Sequence, residues 1–302
     1  MTSPLPSRQQ DIVRGIALRS AGVAFFALMS AAMKLAGNHG AGPVEMVFFR
    51  AAVGIPAILA WLWLTDGVGT IRTKRPGAHI FRSLIGLASL GLLFQSLVLL
   101  PLADAVAIGF SAPAFATILS AIFLREHVGL HRWAAVAIGF VGVIVVARPG
   151  GSDLPLAGVA IAIAAAFANA AVNVTVREMG ATESAGAIIF WFFVSVFVVS
   201  AIAMPFFTGR HDAMTWWLLL AGGLTGTGAQ LCMTRALQAA PIAALVPFDY
   251  AQIVWAALLG WLIWSVVPGA STLAGAALIA ASGLYTVWRE QRLRRASAAT
   301  LG

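Results

Sequence analysis

One carboxylate interrupts a long uncharged stretch near the end of the chain. Asp249, in the segment PFDYAQ (247–252), is the only formal charge between Ala236 and Trp288. A charge at the centre of a membrane helix costs about 2.5–3.5 kcal/mol on insertion scales, so Asp249 is expected to face protein or water. At 100° per residue it shares a helix face with Gln252. We therefore predict that Asp249 and Gln252 line a central cavity and bind substrate; a carboxylate locked into helix packing, or protonated, is the alternative.

A second charge, Arg50, lies in another apolar segment and shares its helix face with Gly54 and Ala57. Small neighbours of this kind permit close helix approach or leave a cavity. A guanidinium there can bind a substrate carboxylate while Asp249 receives an ammonium, so that both ends of a zwitterion meet a partner. The alternative is a structural ion pair, or hydrogen bonds from Arg50 to backbone carbonyls.

Other polar side chains inside apolar segments extend the set of candidate substrate-binding residues. Gln95 and Asn169 belong to it, with interhelical hydrogen bonding as the alternative role. His79, at the predicted cytoplasmic start of the third helix, is either an interfacial residue or a proton-linked gate. Lys34, toward the outer end of the first helix, is expected to snorkel to the surface. No paired carboxylates or histidine cluster suits intramembrane catalysis, so no catalytic residue, metal or cofactor is predicted.

The composition of the chain indicates that lipid is its solvent. Of 302 residues, 60% are hydrophobic and 10% are charged, whereas a soluble domain carries about a quarter charged residues. About 20 apolar residues span a bilayer core. The charge-free run 250–288 is roughly twice that length and is expected to turn at Pro268-Gly269. The charge-poor segments then predict an all-α integral membrane protein with ten transmembrane helices.

The placement of basic residues predicts an orientation. With a cytoplasmic N-terminus and ten crossings, most lysines and arginines fall on the cytoplasmic side, as the positive-inside rule requires. We therefore expect a bacterial-type cytoplasmic (inner) membrane protein with both termini cytoplasmic. The net charge of +8 then reflects topology rather than nucleic-acid binding. The residues assigned to the cytoplasmic side are Arg8, Arg14, Arg19, Arg72, Lys74, Arg75, Arg82, Arg125, Arg132, Arg177, Arg235, Arg289, Arg292, Arg294 and Arg295.

Short sequence matches indicate an internal repeat. The tetrapeptide AGVA occurs at 21–24 and again at 157–160, and Pro101 and Pro241 open the fourth and ninth predicted helices. The offsets, about 136 to 141 residues, divide the chain into two five-helix repeats, residues 1–150 and 151–302, joined by the Pro/Gly/Ser-rich hinge 148–155. Five crossings are an odd number, so the two repeats must insert with opposite orientation. Inverted repeats of this kind are typical of carriers that alternate between inward-open and outward-open states.

Longer motifs in both halves resemble a known family. In the first half these are VFFR (47–50) and the segment from LPLADAV to VVARPG (100–150); in the second they are PFDYAQIVWAALLGWLIW (247–264) and LAGAALIAASGLY (273–285). With these motifs the chain resembles the drug/metabolite transporter superfamily, EamA type, over nearly its whole length. Within that family it is similar to bacterial amino-acid exporters, and also to a branch that contains S-adenosylmethionine carriers.

The motifs and the resemblance together predict an inner-membrane carrier rather than an enzyme. It is expected to export amino acids, aromatic ones included, and related small metabolites by alternating access; only the resemblance indicates export. The alternatives are uptake or exchange of a cationic metabolite such as S-adenosylmethionine and, more remotely, an intramembrane enzyme or a non-transporting scaffold. The expected partners are a small-molecule substrate and the lipid bilayer, with no nucleic acid. We expect a monomer or a weak homodimer, and proton coupling stays open.

Overall fold

The computed structural model describes residues 7–65, 67–123, 125, 128–148 and 154–299. Within these ranges the chain forms twelve α-helices and one 3-10 helix, and no strand. Most of the predicted hinge, residues 149–153, lies outside the described residues. The helices are α1 (Ser7–Asn38), α2 (Pro43–Leu64), a 3-10 helix (Val68–Ile71), α3 (Pro76–Leu99), α4 (Leu102–Gly109), α5 (Ala112–Phe123), α6 (Leu130–Ala147), α7 (Leu156–Met179), α8 (Ala185–Phe207), α9 (Ala213–Ala239), α10 (Ile242–Asp249), α11 (Ala251–Trp264) and α12 (Ala270–Ala299).

In the described ranges, nine segments are long and apolar enough to cross a membrane. The pair α4–α5 forms one of these segments, and α10–α11 forms another. The predicted all-helical membrane architecture is therefore confirmed. The remaining helix, α9, has 27 residues, but glycines, threonines, two glutamines and two tryptophans lower its hydropathy. The tenth crossing thus stays a prediction.

The connections between helices lie alternately on two sides of the bundle. One side carries the start of α1 and the connections α2–α3 and α7–α8, and we call it the basic side because Arg14, Arg72 and Lys74 are exposed there. The other side carries the connections α1–α2 and α8–α9, and we call it the opposite side. A hydrogen bond between the Tyr285 hydroxyl, late in α12, and His131 Nδ1, early in α6, agrees with this arrangement (3.1 Å).

Glycines allow α9 to pack closely between α1 and α2. A Cβ atom at Gly222 would lie 2.6 Å from the Met33 side chain of α1, and one at Gly223 would lie 2.8 Å from the Phe49 carbonyl oxygen of α2. Both distances are too short for any larger residue. The run GGLTGTGAQ therefore serves close helix packing, and a helix covered by protein on these faces does not need an apolar surface there.

The largest helix interfaces are formed between the first and the second half of the chain, not between helices that follow each other in sequence. We call the described residues up to 148 the N-terminal segment and residues 154–299 the C-terminal segment. The largest interfaces pair α1 with α9, α3 with α7, α2 with α8 and α6 with α12. At the α6–α12 crossing a Cβ on Gly142 would lie 2.8 Å from the carbonyl oxygen of Gly275. The core of the protein is thus the boundary between the two segments.

Two crossings bend near their middle, whereas the sequence predicts continuous helices there. At the α4–α5 junction the Ser111 N–H donates to the Ile108 carbonyl (2.9 Å), and at the α10–α11 junction the Ile253 N–H donates to the Tyr250 carbonyl (3.1 Å). Both are i→i+3 bonds of the 3-10 type. The bends contact each other, because the rings of Phe110 and Tyr250 lie 5.0 Å apart. As a consequence Asp249 is the last residue of α10, not a residue within an unbroken helix.

Candidate functional site

The Asp249 carboxylate is bound by a residue that the sequence analysis placed on or near the cytoplasmic side. Arg19 of α1 donates to it twice, from Nε to Oδ1 at 2.5 Å and from Nη2 to Oδ2 at 2.7 Å. The side chains of Arg19 and Asp249 are 16% and 21% exposed. A parallel two-point contact of this kind is the strongest geometry for an arginine and a carboxylate. The charge of Asp249 is therefore neutralised within the protein.

Arg50 has a different environment. It is buried, at 6% exposure, and its guanidinium carbon lies 5.6 Å from the ring centre of Phe193 on α8. No described residue accepts a hydrogen bond from it, and its Nε atom is fully buried. The structure thus places Arg50 against an aromatic ring, while Asp249 contacts Arg19.

The sequence analysis placed Arg82 on or near the cytoplasmic side, and the structure buries its side chain inside the bundle. It is 9% exposed, and its guanidinium carbon stacks 3.8 Å from the ring centre of Phe192 on α8. Its Nε and Nη1 atoms are buried and lack a hydrogen-bond acceptor among the described residues. The signal that was missed is its distance from the helix end: Arg82 comes six residues after Pro76, which starts α3.

The predicted neutral polar residues are spread over several helices. Gln252 and Gln95 are half-buried on α11 and α3. Asn169 of α7 is exposed, although at 100° per residue it shares the helix face of Ala162 and Ala165, which are buried. No hydrogen bond among the described residues joins Asn169, Gln95 and Gln252.

His79 belongs to a contact that closes the basic side. Its Nε2 atom lies 3.3 Å from Glu183 Oε2, with both side chains at most 4% exposed. Glu183 also accepts from the backbone N–H of Lys74 at 3.3 Å. Burial would raise the pKa of Glu183, but hydrogen bonds from His79, Thr73 and Lys74 outweigh it and hold that pKa below its usual value. The contact thus favours an ionised Glu183 and is expected to weaken as the pH falls through the lowered pKa.

Two further hydrogen bonds tie the same connections together. The Ser184 hydroxyl donates to the Thr70 carbonyl at 2.9 Å, and the Trp191 indole N–H donates to the Ile71 carbonyl at 2.8 Å. Together with His79 and Glu183 they bind the α2–α3 connection of the N-terminal segment to the start of α8 in the C-terminal segment. We call this set of contacts the basic-side closure.

A similar contact, which the sequence analysis did not find, closes the opposite side. His211 Nε2, in the α8–α9 connection, lies 2.6 Å from Glu45 Oε1 near the start of α2, with side chains 3% and 1% exposed. The exposed pair His39–Asp212 lies beside it at 3.7 Å. Hydrogen bonds from Thr215 hold the pKa of Asp212 below its usual value. We call this set of contacts the opposite-side closure.

Lys34 is buried, and the expectation that it snorkels is wrong. Its Nζ atom donates to the carbonyl oxygens of Leu97 and Leu100 at 2.6 and 2.7 Å. These carbonyls lie at the C-terminal end of α3, where the helix leaves acceptors without an internal partner. Nearby, Thr272 donates to the buried Asp104 at 2.6 Å, a carboxylate that the sequence analysis did not single out. Lys34 and Asp104 border a cavity of about 240 Å³.

A family model decides what kind of protein this is. The model for the EamA-like transporter family matches residues 13–148 and, a second time, residues 156–288. The chain belongs to the EamA-like transporter family. The resemblance noted in the sequence is therefore confirmed, and the protein is a multi-pass membrane transporter, not an enzyme.

Characterised relatives of this EamA-like transporter differ in substrate and direction. It is 28% identical to a riboflavin transporter of Vibrio cholerae, over 91% of this chain and 93% of the relative. It is 30% identical to the pseudopaline exporter CntI of Pseudomonas aeruginosa, over 84% of this chain and 89% of the relative. It is 26% identical to an S-adenosylmethionine uptake transporter of Rickettsia felis, over 82% and 84%. A crystal structure shares the fold, with TM-score 0.60, 21% identity and coverage of 89% of this chain and 98% of the other.

The Arg19–Asp249 pair is testable by a double-mutant cycle on thermal unfolding in detergent. Asp249→Asn and Arg19→Gln should each lower the melting temperature, because each leaves one charge without its partner. The double variant should recover part of the loss, with a coupling on the order of 1 kcal/mol because the pair is partly exposed. The exposed pair Arg75–Glu178 is the matched control and should show a smaller coupling. Strictly additive effects at positions 19 and 249 would contradict the structural role of the pair.

Proposed function

We propose that this EamA-like transporter is an alternating-access carrier whose halves, residues 1–150 and 151–302, are inverted repeats of five crossings. Matched features at offsets near 140 residues support the proposal. Pro101 and Pro241 precede α4 and α10, which both have eight residues and end at a bend. The helix contacts mirror each other as well, since α1 packs on α9 and the corresponding α7 packs on α3. On this view α9 is the tenth crossing.

The two closures carry the proposal. On the basic side a histidine near the start of α3 contacts a glutamate just before α8; on the opposite side a glutamate near the start of α2 contacts a histidine just before α9. In an inverted repeat α2 corresponds to α8 and α3 to α9. The same His–Glu contact therefore occurs once on each side. On the basic side the N-terminal segment supplies the histidine, and on the opposite side the C-terminal segment supplies it. A carrier alternates when one such contact opens while the other stays closed.

We propose amino acids and related small metabolites as substrates, and export as the direction. The relative named as a pseudopaline exporter supports export, and the buried arginines Arg50 and Arg82 support a substrate that carries a carboxylate. Uptake of a cationic metabolite is the second candidate, supported by the relatives named as S-adenosylmethionine uptake transporters. The Arg19–Asp249 pair weighs against it, because Asp249 is already neutralised. Histidine and glutamate at both closures also offer a route for proton coupling, which transport with and without a pH gradient measures.

Cross-linking the closures tests alternating access. In a Cys232→Ser background, Thr70→Cys with Ser184→Cys should form a disulfide across the basic-side closure, and Glu45→Cys with His211→Cys should form one across the opposite-side closure. Either disulfide should abolish transport of a labelled amino-acid panel into liposomes, and reduction should restore it for the Thr70–Ser184 pair. The four single-cysteine variants are the controls under the same oxidation. Undiminished transport by a fully cross-linked protein would contradict the proposal.

The proposed orientation, in the inner membrane with both termini cytoplasmic, is testable by cysteine labelling in intact cells. Gly69→Cys and Arg210→Cys place exposed thiols on the basic side and the opposite side, respectively. An impermeant maleimide should label position 210 from outside, and position 69 only after the membrane is permeabilised. The reverse pattern would overturn the orientation, and external labelling at both positions would overturn the number of crossings.

A further inference from the structure

Two buried guanidinium groups lie where the two segments meet. Arg50 of α2 and Arg82 of α3 come from the N-terminal segment, and each is covered by a ring of α8 from the C-terminal segment, Phe193 and Phe192, respectively. The helices have room for these rings because of glycines: a Cβ at Gly86 would lie 2.6 Å from the Phe192 ring and 3.0 Å from Arg82 Nη1. A Cβ at Gly54 would likewise collide with the Phe193 ring. The packing is thus shaped around the arginines.

No acidic group among the described residues balances these two charges. The four buried or half-buried carboxylates of the bundle are bound elsewhere. Arginine stays protonated in proteins, so Arg50 and Arg82 cannot lose their charges. The two rings that cover them are neighbours in α8, with ring centres 5.5 Å apart. The pairs that use the carboxylates are Arg19–Asp249, His211–Glu45, His79–Glu183 and Thr272–Asp104.

The two arginines keep hydrogen-bond donors that no protein group uses. Their guanidinium carbons lie 5.6 Å (Arg50) and 3.8 Å (Arg82) from the ring centres of Phe193 and Phe192, contacts of the cation–π type that leave the N–H donors unused. Arg50 Nε, Arg82 Nε and Arg82 Nη1 are buried without an acceptor among the described residues. Planar donors of this kind suit the paired oxygens of a carboxylate or a phosphate.

We infer that Arg50 and Arg82 together bind the anionic part of the substrate, and that among amino acids and related metabolites the preferred substrate carries two negative charges, as an acidic amino acid or a small dianion does. The number of charges in the substrate follows from the number of unbalanced arginines. Two cations are neutralised by two negative charges, which two carboxylates or one phosphate can supply. The inference rests on the proposed carrier function, because a site between two segments that move apart can receive a solute. It replaces the zwitterion arrangement, in which Arg50 and Asp249 each take one end, with a site in which both positive charges serve the anion.

Binding to the purified full-length protein in detergent tests the inference. Thermal unfolding is followed with succinate, inorganic phosphate, alanine and putrescine at equal ionic strength set by sodium chloride. Succinate or phosphate should raise the melting temperature of the wild-type protein, and comparison of the two identifies the carboxylate or the phosphate. Alanine and putrescine should have a much smaller effect. Equal or larger stabilisation by alanine or putrescine, or no stabilisation by either dianion, would overturn the inference without recourse to any variant.

Variants then locate the site. Arg50→Gln and Arg82→Gln should each weaken dianion binding at least tenfold, whereas Arg50→Lys should keep part of it because the charge remains. Arg72→Gln removes an exposed charge on the basic side and should bind like the wild type. Equal affinity in all five proteins would overturn the assignment to Arg50 and Arg82.

The same protein in liposomes separates this inference from the carrier proposal. If labelled succinate and phosphate are not transported but another solute is, the dianion inference fails and the carrier proposal stands. If dianions bind and the closures can be cross-linked without loss of transport, the anion site stands and the alternating-access proposal fails.

Discussion

An ionised group inside a membrane protein needs a partner, and in this protein the partners lie across one boundary. The carboxylates of Asp249, Glu45, Glu183 and Asp104 each contact a residue of the other segment. Lipid cannot solvate these groups, so the cost of a broken contact falls on the protein. The two segments are therefore held together by a few polar contacts set in an apolar interface. Such contacts are specific in geometry, yet few enough to be exchanged for contacts with water or substrate.

Arg50 and Arg82 differ from these groups because they lack a partner of opposite charge among the described residues. Their charges lie at the same boundary, but no described acid meets them, and aromatic rings from α8 cover them instead. A protein built only for stability would supply a carboxylate there or replace the arginines by apolar residues. An unbalanced pair between two segments fits a carrier whose missing counter-charge is its cargo. The closures on the two sides of the boundary would then decide from which side the cargo enters.

The sequence predicted those features that depend on local composition. Charge-poor segments of about 20 residues indicate the crossings, and the lone charge of Asp249 in its apolar run is visible without any structure. The positions of Pro101 and Pro241 also indicated where α4 and α10 begin. Partner identity could not be obtained in this way, because Arg19 and Asp249 are 230 residues apart in the chain. Helix ends were the main limit, because periodicity does not define them. Sequence analysis assigned Arg19 and Arg82 a side of the membrane but not their inward-facing contacts, and it found no sign of the contact between Glu45 and His211.

The central claim, that the two closures open in alternation, is tested most directly by distances between spin labels in the reconstituted protein. One label pair, at Arg72 and Ala181, spans the basic side, and a second, at Asn38 and Arg210, spans the opposite side; all four positions are exposed. Pulsed dipolar spectroscopy at several pH values, with and without a transported solute, gives both distance distributions. Alternating access predicts opposed changes, so that conditions that lengthen one distance shorten the other. Two distances that rise and fall together, or that stay fixed under conditions in which the protein transports, would contradict it.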